Sequence, residues 1–417
     1  MSELHEVCRF VDRPINHDYV FKLKNYLKEG IPATYTLEEA YHVENDIEDK
    51  ELSSTTTPLH IIASHIPQDA TEDEEAIILE MLNELLLWGA GWSLIDKDDQ
   101  TPGCILDKRG FHGSEYWNTI VNAGVRAEIL LRKVEDNIEF IEDESVNINE
   151  ETIGEEADNG QSVNTKADDD EDNAIQEIRQ QLRDDPSNTT STYLKTKLEY
   201  KDGALVTKER GDGVMMSWEE TLMQAGCDSM FKNQQPDNDH CVLNIGFGMG
   251  IIDAMIQKKK PRKHYICEAH PDVLAKMKEE GWMNKENVVV LSGKWQDQVS
   301  ELLSKGVFFD GIYYDTYSEH YEDMLDLFDL VVGLLKPEGV FSFFNGLGAD
   351  RRVVYDVYRK LVELDLNNYG LKVSFKELVP PKETLNKPTD TGDSVWDDIR
   401  RAYWSCPVYY HPEAEFM

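Results

Sequence analysis

The stretch from Cys241 to Glu268 restricts the fold more than any other part of this 417-residue chain. It opens with a short apolar run, Cys241-Val242-Leu243-Asn244-Ile245, passes through Gly246-Phe247-Gly248-Met249-Gly250, and continues into Ile251 to Lys258, a good helix former. The pattern predicts strand, glycine turn and helix. Glycines let the main chain turn sharply and come close to a ligand, and the free N–H groups at a helix start favour electron-rich groups. His264-Tyr265-Ile266-Cys267-Glu268 then reads as a second strand. It ends in an acid about twenty residues past the glycines, where a carboxylate can accept both hydroxyls of a ribose. The unit predicts a nucleoside-binding α/β sheet; taken alone, GxGxG fits a dinucleotide loop equally well.

The neighbouring residues separate those readings. From Ala174 onward apolar runs alternate with amphipathic stretches in a β-α-β-α order, which predicts a mainly parallel sheet with helices on both faces. Val307 to Asp315 supplies a further strand, and Leu334-Leu335-Lys336-Pro337-Glu338-Gly339-Val340 closes a helix and starts the next one. A strand of the FDGIxxD type followed by an LLKPxG turn is the order of class I S-adenosylmethionine-dependent methyltransferases, not of dehydrogenases. The expected fold is therefore α/β, a Rossmann-like class I methyltransferase with S-adenosyl-L-methionine as cofactor. A cofactor-binding domain without activity is the alternative.

The length allows more than one core, because a single core rarely grows past about 250–300 residues. Three parts are expected: an all-α ankyrin-like domain over 1–134, an acidic linker over 135–175, and the methyltransferase domain over 176–417. Thr57-Pro58-Leu59-His60-Ile61-Ile62-Ala63-Ser64 resembles the TPLHxA start of an ankyrin helix, and Thr101-Pro102-Gly103-Cys104 starts a second unit 44 residues on. The usual period is about 33, so Gln68 to Glu75 is read as an inserted loop. A helix over Ala76 to Trp88 should stop at Gly89, within Leu85-Leu86-Leu87-Trp88-Gly89-Ala90, an LLxxGA-like turn. His60 is expected to bond locally and stabilise a turn. Tyr19 to Asn45 and Phe111 to Arg132 read as flanking helices. Between Glu135 and Asn173 sixteen acidic residues stand against one lysine, the composition of a solvated linker.

Charge and cysteine usage exclude several functions. A formal charge of −39 argues against direct contact with nucleic acid, whose phosphates need clustered Lys and Arg, and suits a basic protein partner. No apolar run reaches the length of a membrane helix. Met1 to Arg13 lacks the pattern of a secretory signal, so a cytoplasmic location is expected. The run Lys258-Lys259-Lys260-Pro261-Arg262-Lys263 resembles a nuclear localisation signal and leaves the nucleus open, although a basic helix C-terminus explains it as well. Six scattered cysteines without a CxxC pair predict buried thiols rather than a metal or disulfide framework.

Longer motifs carry a closer resemblance. Val214-Met215-Met216-Ser217-Trp218-Glu219-Glu220-Thr221-Leu222-Met223, Gly246 to Ile251 (GFGMGI), Glu268-Ala269-His270, Gly293-Lys294-Trp295 and Asp310 to Tyr317 (DGIYYDTY) resemble the fungal protein arginine N5-methyltransferases and their small-molecule relative, guanidinoacetate N-methyltransferase. The resemblance implies that Gly246, Phe247, Gly248, Met249, Gly250 and Ile251 wrap the methionine part of the cofactor. Glu268 would hold the ribose, with Ala269 and His270 along the same edge. Lys294 and Trp295 would border adenine, and Tyr193, Met215 and Met223 would cover it. Read as residues alone, Met215, Met223 and Trp295 fit a core equally well.

Methylating a guanidinium is hard because its pKa lies above about 12 and its lone pairs are delocalised. Two carboxylates can grip its terminal N–H groups and accept a proton as the new bond forms. Glu219 and Asp315 are the candidate catalytic pair, and Asp315 is expected to touch the cofactor as well. Both resembled enzymes methylate the guanidino nitrogen bonded to carbon, which implies the δ-nitrogen of arginine here. The double-glutamate hairpin of ω-methylating enzymes is missing, and Ser318-Glu319 reads as a helix start. Of Tyr313, Tyr314, Tyr317 and Tyr321, strand alternation predicts that half are core. The small-molecule enzyme anchors its substrate's carboxylate with a Thr-Ser pair; here the run reads Asn345-Gly346-Leu347-Gly348. This points to arginine within a basic protein, and the resemblance implies a large-subunit ribosomal protein. Methylation of a small guanidino compound, and an interaction scaffold whose ankyrin-like part binds a protein partner, are the alternatives.

Overall fold

The computed structural model describes residues 3–47, 55–135, 183–234, 239–386 and 394–417; of the acidic segment expected over 135–175, all but Glu135 lies outside these. The described residues up to 135 form helices α1 (Glu3–Val7), α2 (His17–Lys28), α3 (Leu37–Glu44), α4 (Pro58–His65), α5 (Glu72–Leu87), α6 (Pro102–Lys108) and α7 (Glu115–Glu135). Helices α4 and α6 each follow a threonine in extended backbone and carry proline in the first turn, where its missing N–H costs nothing. The His60 ring does lock a turn: Nδ1 lies 2.8 Å from Thr57 Oγ1, and Nε2 lies 3.0 Å from the carbonyls of Leu94 and Gln100. Helix α5 begins at Glu72, not at Ala76. Thr71 and Glu74 form a capping box, so the acids read as loop form the first turn, where the helix dipole favours them.

Beyond residue 183 the chain builds two sheets. Three antiparallel strands, β1 (Leu198–Lys201), β2 (Ala204–Thr207) and β3 (Gly213–Met216), form the small one. The large sheet comprises β4 (Cys241–Ile245), β5 (Lys263–Glu268), β6 (Val288–Ser292), β7 (Phe309–Tyr314), β8 (Leu335–Phe343), β9 (Leu371–Leu378) and β10 (Tyr409–Phe416), in the order β6-β5-β4-β7-β8-β10-β9. Strands β4 to β8 pair in parallel, and β10 runs antiparallel to both of its neighbours. Every residue of β4 is buried, as a central strand covered on both faces requires. The chain leaves β4 toward β6 and restarts at β7 on the other side. A ligand crevice is therefore expected above the C-terminal ends of β4 and β7. Among the described residues no helix is long and apolar enough to cross a membrane.

The N-terminal helices and the large sheet share one continuous core. Buried side chains run from Leu4, Leu23 and Ile78 through Trp117 and Ile120 to Val353, Val357 and Leu361, the last three on the helix Arg352–Asn368. Polar contacts fix the alignment. The Trp117 indole N–H donates to Asp356 Oδ2 at 3.0 Å, Arg132 meets Asp365 at 3.0 Å, and Arg352 meets Asp107 at 3.2 Å. Helix α7 comes this close because residue 124 is glycine; a Cβ there would stand 2.6 Å from Val357 Cγ2. Gly124→Leu should accordingly cost about 1–3 kcal/mol through overpacking. Thermal unfolding followed by tryptophan fluorescence should show the loss within a single transition, because both halves melt together; two separated transitions in the wild type would contradict the continuous core.

Candidate active site

Strand β7 delivers Asp315 to the crevice. The Asp315 N–H donates to the Ile245 carbonyl at 2.9 Å, extending the β4–β7 pairing by one residue. Its own carbonyl lies against Gly246, where a Cβ would fall 1.8 Å from that oxygen and φ is +94°. Only glycine fits there. A cavity of about 630 Å³ opens beside this contact. At its β5 end the Glu268 carboxylate accepts the Phe247 N–H at 2.9 Å and the His270 N–H at 2.6 Å. The Gly248 and Ala269 N–H groups also reach it, and it lines the cavity, where a carboxylate can meet a diol. Trp295, 4 % exposed, forms another wall, and Val214 and Met215 also line the cavity. A carboxylate, an apolar slot and a glycine floor together fit a nucleoside joined to an amino-acid chain.

Of the residues expected at the cofactor, Tyr193, Met215, Gly246, Gly248, Glu268, Ala269, Lys294, Trp295 and Asp315 line this cavity. Others stand behind it. The Phe247 ring packs edge-on against Trp282 at 5.2 Å, and Met223 is fully buried beside Leu205, Cys227 and Tyr313. Gly250 turns the chain into the helix Ile251–Lys259 with φ +70°, and Ile251 packs on that same core. The Met249 N–H points to Met215 Sδ at 3.2 Å. His270 is an anchor rather than a wall. Its Nε2 lies 3.1 Å from the carbonyls of Tyr193 and Thr196, and its Nδ1 accepts the Asp272 N–H at 3.2 Å. It thereby holds the Tyr193 segment over the cavity.

A second cavity, about 1060 Å³, adjoins the first and shares Val214, Asp315, Thr316, Tyr317 and Glu319 with it. Glu219 and Tyr403 form part of its wall. Glu219 ends the short turn Ser217–Glu219 ahead of the helix Glu220–Met230; Oε1 accepts the Met216 N–H at 2.9 Å and the Tyr403 hydroxyl. Oδ2 of Asp315 is buried without a hydrogen-bond partner among the described residues. Burial, then repulsion from Asp315, pushes the Glu219 carboxyl up, against the lowering effect of its two hydrogen bonds. Burial, then the Asp253 charge, pushes Asp315 up. Two acids that resist ionisation face one cavity, an arrangement that a bound cation would relieve. Tyr314 and Tyr317 also line it, whereas Tyr313 packs under Gly226 and Tyr321 bonds Asp365 in the core. Asn345, Gly346 and Leu347 complete the wall without a cation or hydroxyl.

Two residues of this site were missed by sequence reasoning. Ser318-Glu319 does not start a helix: Ser318 is left-handed at φ +64°, and the helix Tyr321–Leu334 begins after His320. Glu319 turns inward instead. Tyr403 arrives from the far C-terminal segment, where no local pattern signals it. An Asp202-Gly203 turn between alternating runs was the available signal for the β1–β2 hairpin.

With this geometry in view, comparison with known proteins is decisive. Residues 184–364 match the family model for guanidinoacetate N-methyltransferase. Protein arginine N-methyltransferase 2 of Debaryomyces hansenii is 58% identical, with the whole of both chains covered. The proteins of that name from Saccharomyces cerevisiae and Aspergillus oryzae are 47% and 38% identical, covering 100% of both chains and 80% and 77% of the respective chains. The chain belongs to the protein arginine N-methyltransferase 2 family. Its C-terminal half is a class I methyltransferase, and its cofactor is S-adenosylmethionine, which the slot between Glu268, Trp295 and the glycine floor fits.

The raised carboxyls have a measurable consequence. A carboxyl whose folded-state pKa exceeds its unfolded value favours folding while protonated, and that contribution is lost as pH rises through the folded-state value. For Glu219 the window runs from 4.5 to about 8. Glu219→Gln keeps an acceptor for Met216 and Tyr403 but cannot ionise. Without ligands it should melt higher than the wild type at pH 8, by on the order of 1–2 kcal/mol, and the advantage should shrink toward pH 4.5. Melting curves from pH 4.5 to 9 test this; a pH-independent difference would remove the electrostatic account.

Proposed function

We propose that the chain transfers a methyl group from S-adenosylmethionine to the δ-nitrogen of an arginine in a basic protein, a ribosomal protein of the large subunit. The pair of buried Glu219 and half-buried Asp315, facing a cavity lined by no Lys or Arg among the described residues, carries this reading. In it, Glu268 accepts the ribose hydroxyls, Trp295 and Lys294 border the adenine, Met215 and Tyr193 close the slot, and Gly246 and Gly248 leave room for the methionine part. The cofactor supplies an electrophilic methyl carbon on a sulfonium. Everything else falls to side chains.

Asp315 and Glu219 receive the terminal N–H groups of the guanidinium through charge-assisted bonds, drawing positive charge to that end. The δ-nitrogen, left ungripped, keeps its electron pair for the methyl carbon. As the N–C bond forms and the C–S bond breaks, the surplus guanidinium proton passes to one of the two carboxylates, each already poised to take one. Tyr317 and Tyr314 offer aromatic faces to the cation, and closure of the Tyr193 segment excludes water. The wall Asn345-Gly346-Leu347 would leave a free guanidino acid's carboxylate unpaired, whereas arginine in a polypeptide has none to hold.

The N-terminal helices fit an ankyrin-type module for a protein partner, with His60 as its turn histidine, and the acidic composition fits a basic substrate in the cytoplasm or nucleus. The direct test is methylation of a large-subunit ribosomal protein fraction with labelled S-adenosylmethionine, followed by acid hydrolysis and separation of methylarginines. δ-N-Methylarginine is the expected product. Exclusively ω-methylated arginine would overturn the regiochemistry, and labelling of guanidinoacetate but not of protein would overturn the substrate class. Asp315→Asn should lower kcat by about 10²–10⁴-fold.

A further inference from the structure

Glu319 satisfies more donors than either carboxylate of the candidate catalytic pair, Glu219 and Asp315. The Trp295 indole N–H reaches both of its oxygens, at 2.8 and 3.0 Å; Gln296 Nε2 lies 3.2 Å from Oε1; and the hydroxyls of Tyr314 and Thr316 both donate to Oε2. These donors come from separate elements. Trp295 opens the helix after β6, whereas Tyr314 ends β7, and β5 and β4 lie between those strands. Glu319 thus bridges the two rims of the crevice. Tyr314 and Thr316 are also the two chain neighbours of Asp315.

We infer that Glu319 is a positioning residue for methyl transfer: it fixes Trp295 as the wall of the cofactor cavity and, by holding both flanks of Asp315, fixes the acid that receives the guanidinium. The inference rests on the proposed transfer reaction for its second half only. Asp315 needs such a hold. Its outer oxygen is buried without a partner, so a loosened loop would rotate the carboxylate toward solvent or toward a donor. The loop is not relaxed on its own, because Ser318 sits in the left-handed region at φ +64° and its hydroxyl is buried unpaired among the described residues. Glu319 can reach back to Tyr314 and Thr316 only across that turn. The Ser318 carbonyl accepts from Thr190, and His320 bonds the Asn188 carbonyl, so the segment covering the cofactor rests on the same loop.

Glu319→Gln replaces one acceptor oxygen with an NH2 group, which cannot accept from Trp295 or the hydroxyls. Two readouts separate its roles. S-adenosylhomocysteine binding to the full chain, followed by tryptophan fluorescence without any acceptor, should weaken about tenfold or more. With saturating cofactor and the protein acceptor, kcat should also fall at least tenfold, and its acid limb should move to lower pH than in the wild type, because an Asp315 carboxyl that reaches solvent or a donor ionises more readily. Tyr314→Phe and Thr316→Val each remove one strap. Combined with Glu319→Gln, each should add less than its separate effect, since the strap is already broken. Glu319→Gln with binding and kcat within twofold of the wild type would overturn the inference, and so would full additivity in both pairs. If Glu319→Gln fails to fold, the Tyr314→Phe, Thr316→Val double variant carries the kcat and pH test on the same terms. Absence of methyl transfer by the wild type would count against the transfer reading alone, because S-adenosylhomocysteine binding tests the Trp295 half independently.

Discussion

The Asp315 carbonyl rests on Gly246 so closely that no other residue fits at position 246, and the geometry of the whole site follows from that main-chain contact. Strands β4 and β7 are neighbours, paired in register up to Ile245 and Tyr314. The glycine turn and the acid therefore leave the sheet side by side at the point where strand order reverses. Their separation is set by backbone hydrogen bonds rather than by flexible side chains. A displacement reaction needs its two partners held near contact distance, and a shared main-chain contact is the stiffest way to fix where they meet.

Electrostatics then gives the site its direction. Glu219 and Asp315 face the same cavity, and Asp253 lies beneath the glycine turn, accepting from Asn244 at 3.0 Å with His264 Nε2 at the same distance. Asp253 accepts from the Asn244 amide on both oxygens, but Asp315 keeps a buried oxygen with no partner among the described residues. Leaving an acid unpaired in a buried place weakens the folded state. In the proposed reaction a guanidinium entering the cavity would supply the missing partner, so its binding energy would be prepared by instability in its absence. The chain tolerates that cost because its core is large and continuous.

How much of this could be read in the sequence depended on how local each signal was. The strand, glycine turn and acid at 241–268 lie within one βαβ unit, and sequence and structure agree there nearly residue by residue. The motif overstated its own contacts, however. Phe247, Ile251 and Met223 hold the loop from behind, and a sequence motif cannot tell a wall from its support. Glu319 was misread because Ser-Glu ahead of an amphipathic run looks like a helix start; the left-handed Ser318 that redirects it has no signature in a residue other than glycine or asparagine. Tyr403 meets Glu219 across almost half the chain, and such a pairing has no sequence period. At α5 the error ran the other way: acids taken for loop were the first helical turn, because a capping threonine outweighs charge density.

The N-terminal helices contribute no residue to either cavity, yet they are not remote from the chemistry. They grip the helix Arg352–Asn368 through Trp117 and Asp356, through the close approach at Gly124, and through Asp107 on Arg352, the first residue of that helix. The segment just before this helix is Asn345 to Arg351, whose first three residues wall the second cavity. At its other end, Asn345 is fixed by the Tyr409 hydroxyl at 3.1 Å and by the Tyr410 carbonyl at 3.0 Å, both from β10. The loop is thus held from the sheet on one side and from the N-terminal helices on the other. Asn345, Gly346 and Leu347, the residues of this loop on the cavity, carry no charge, so the loop selects a guest largely by shape, and shape requires that the wall not move.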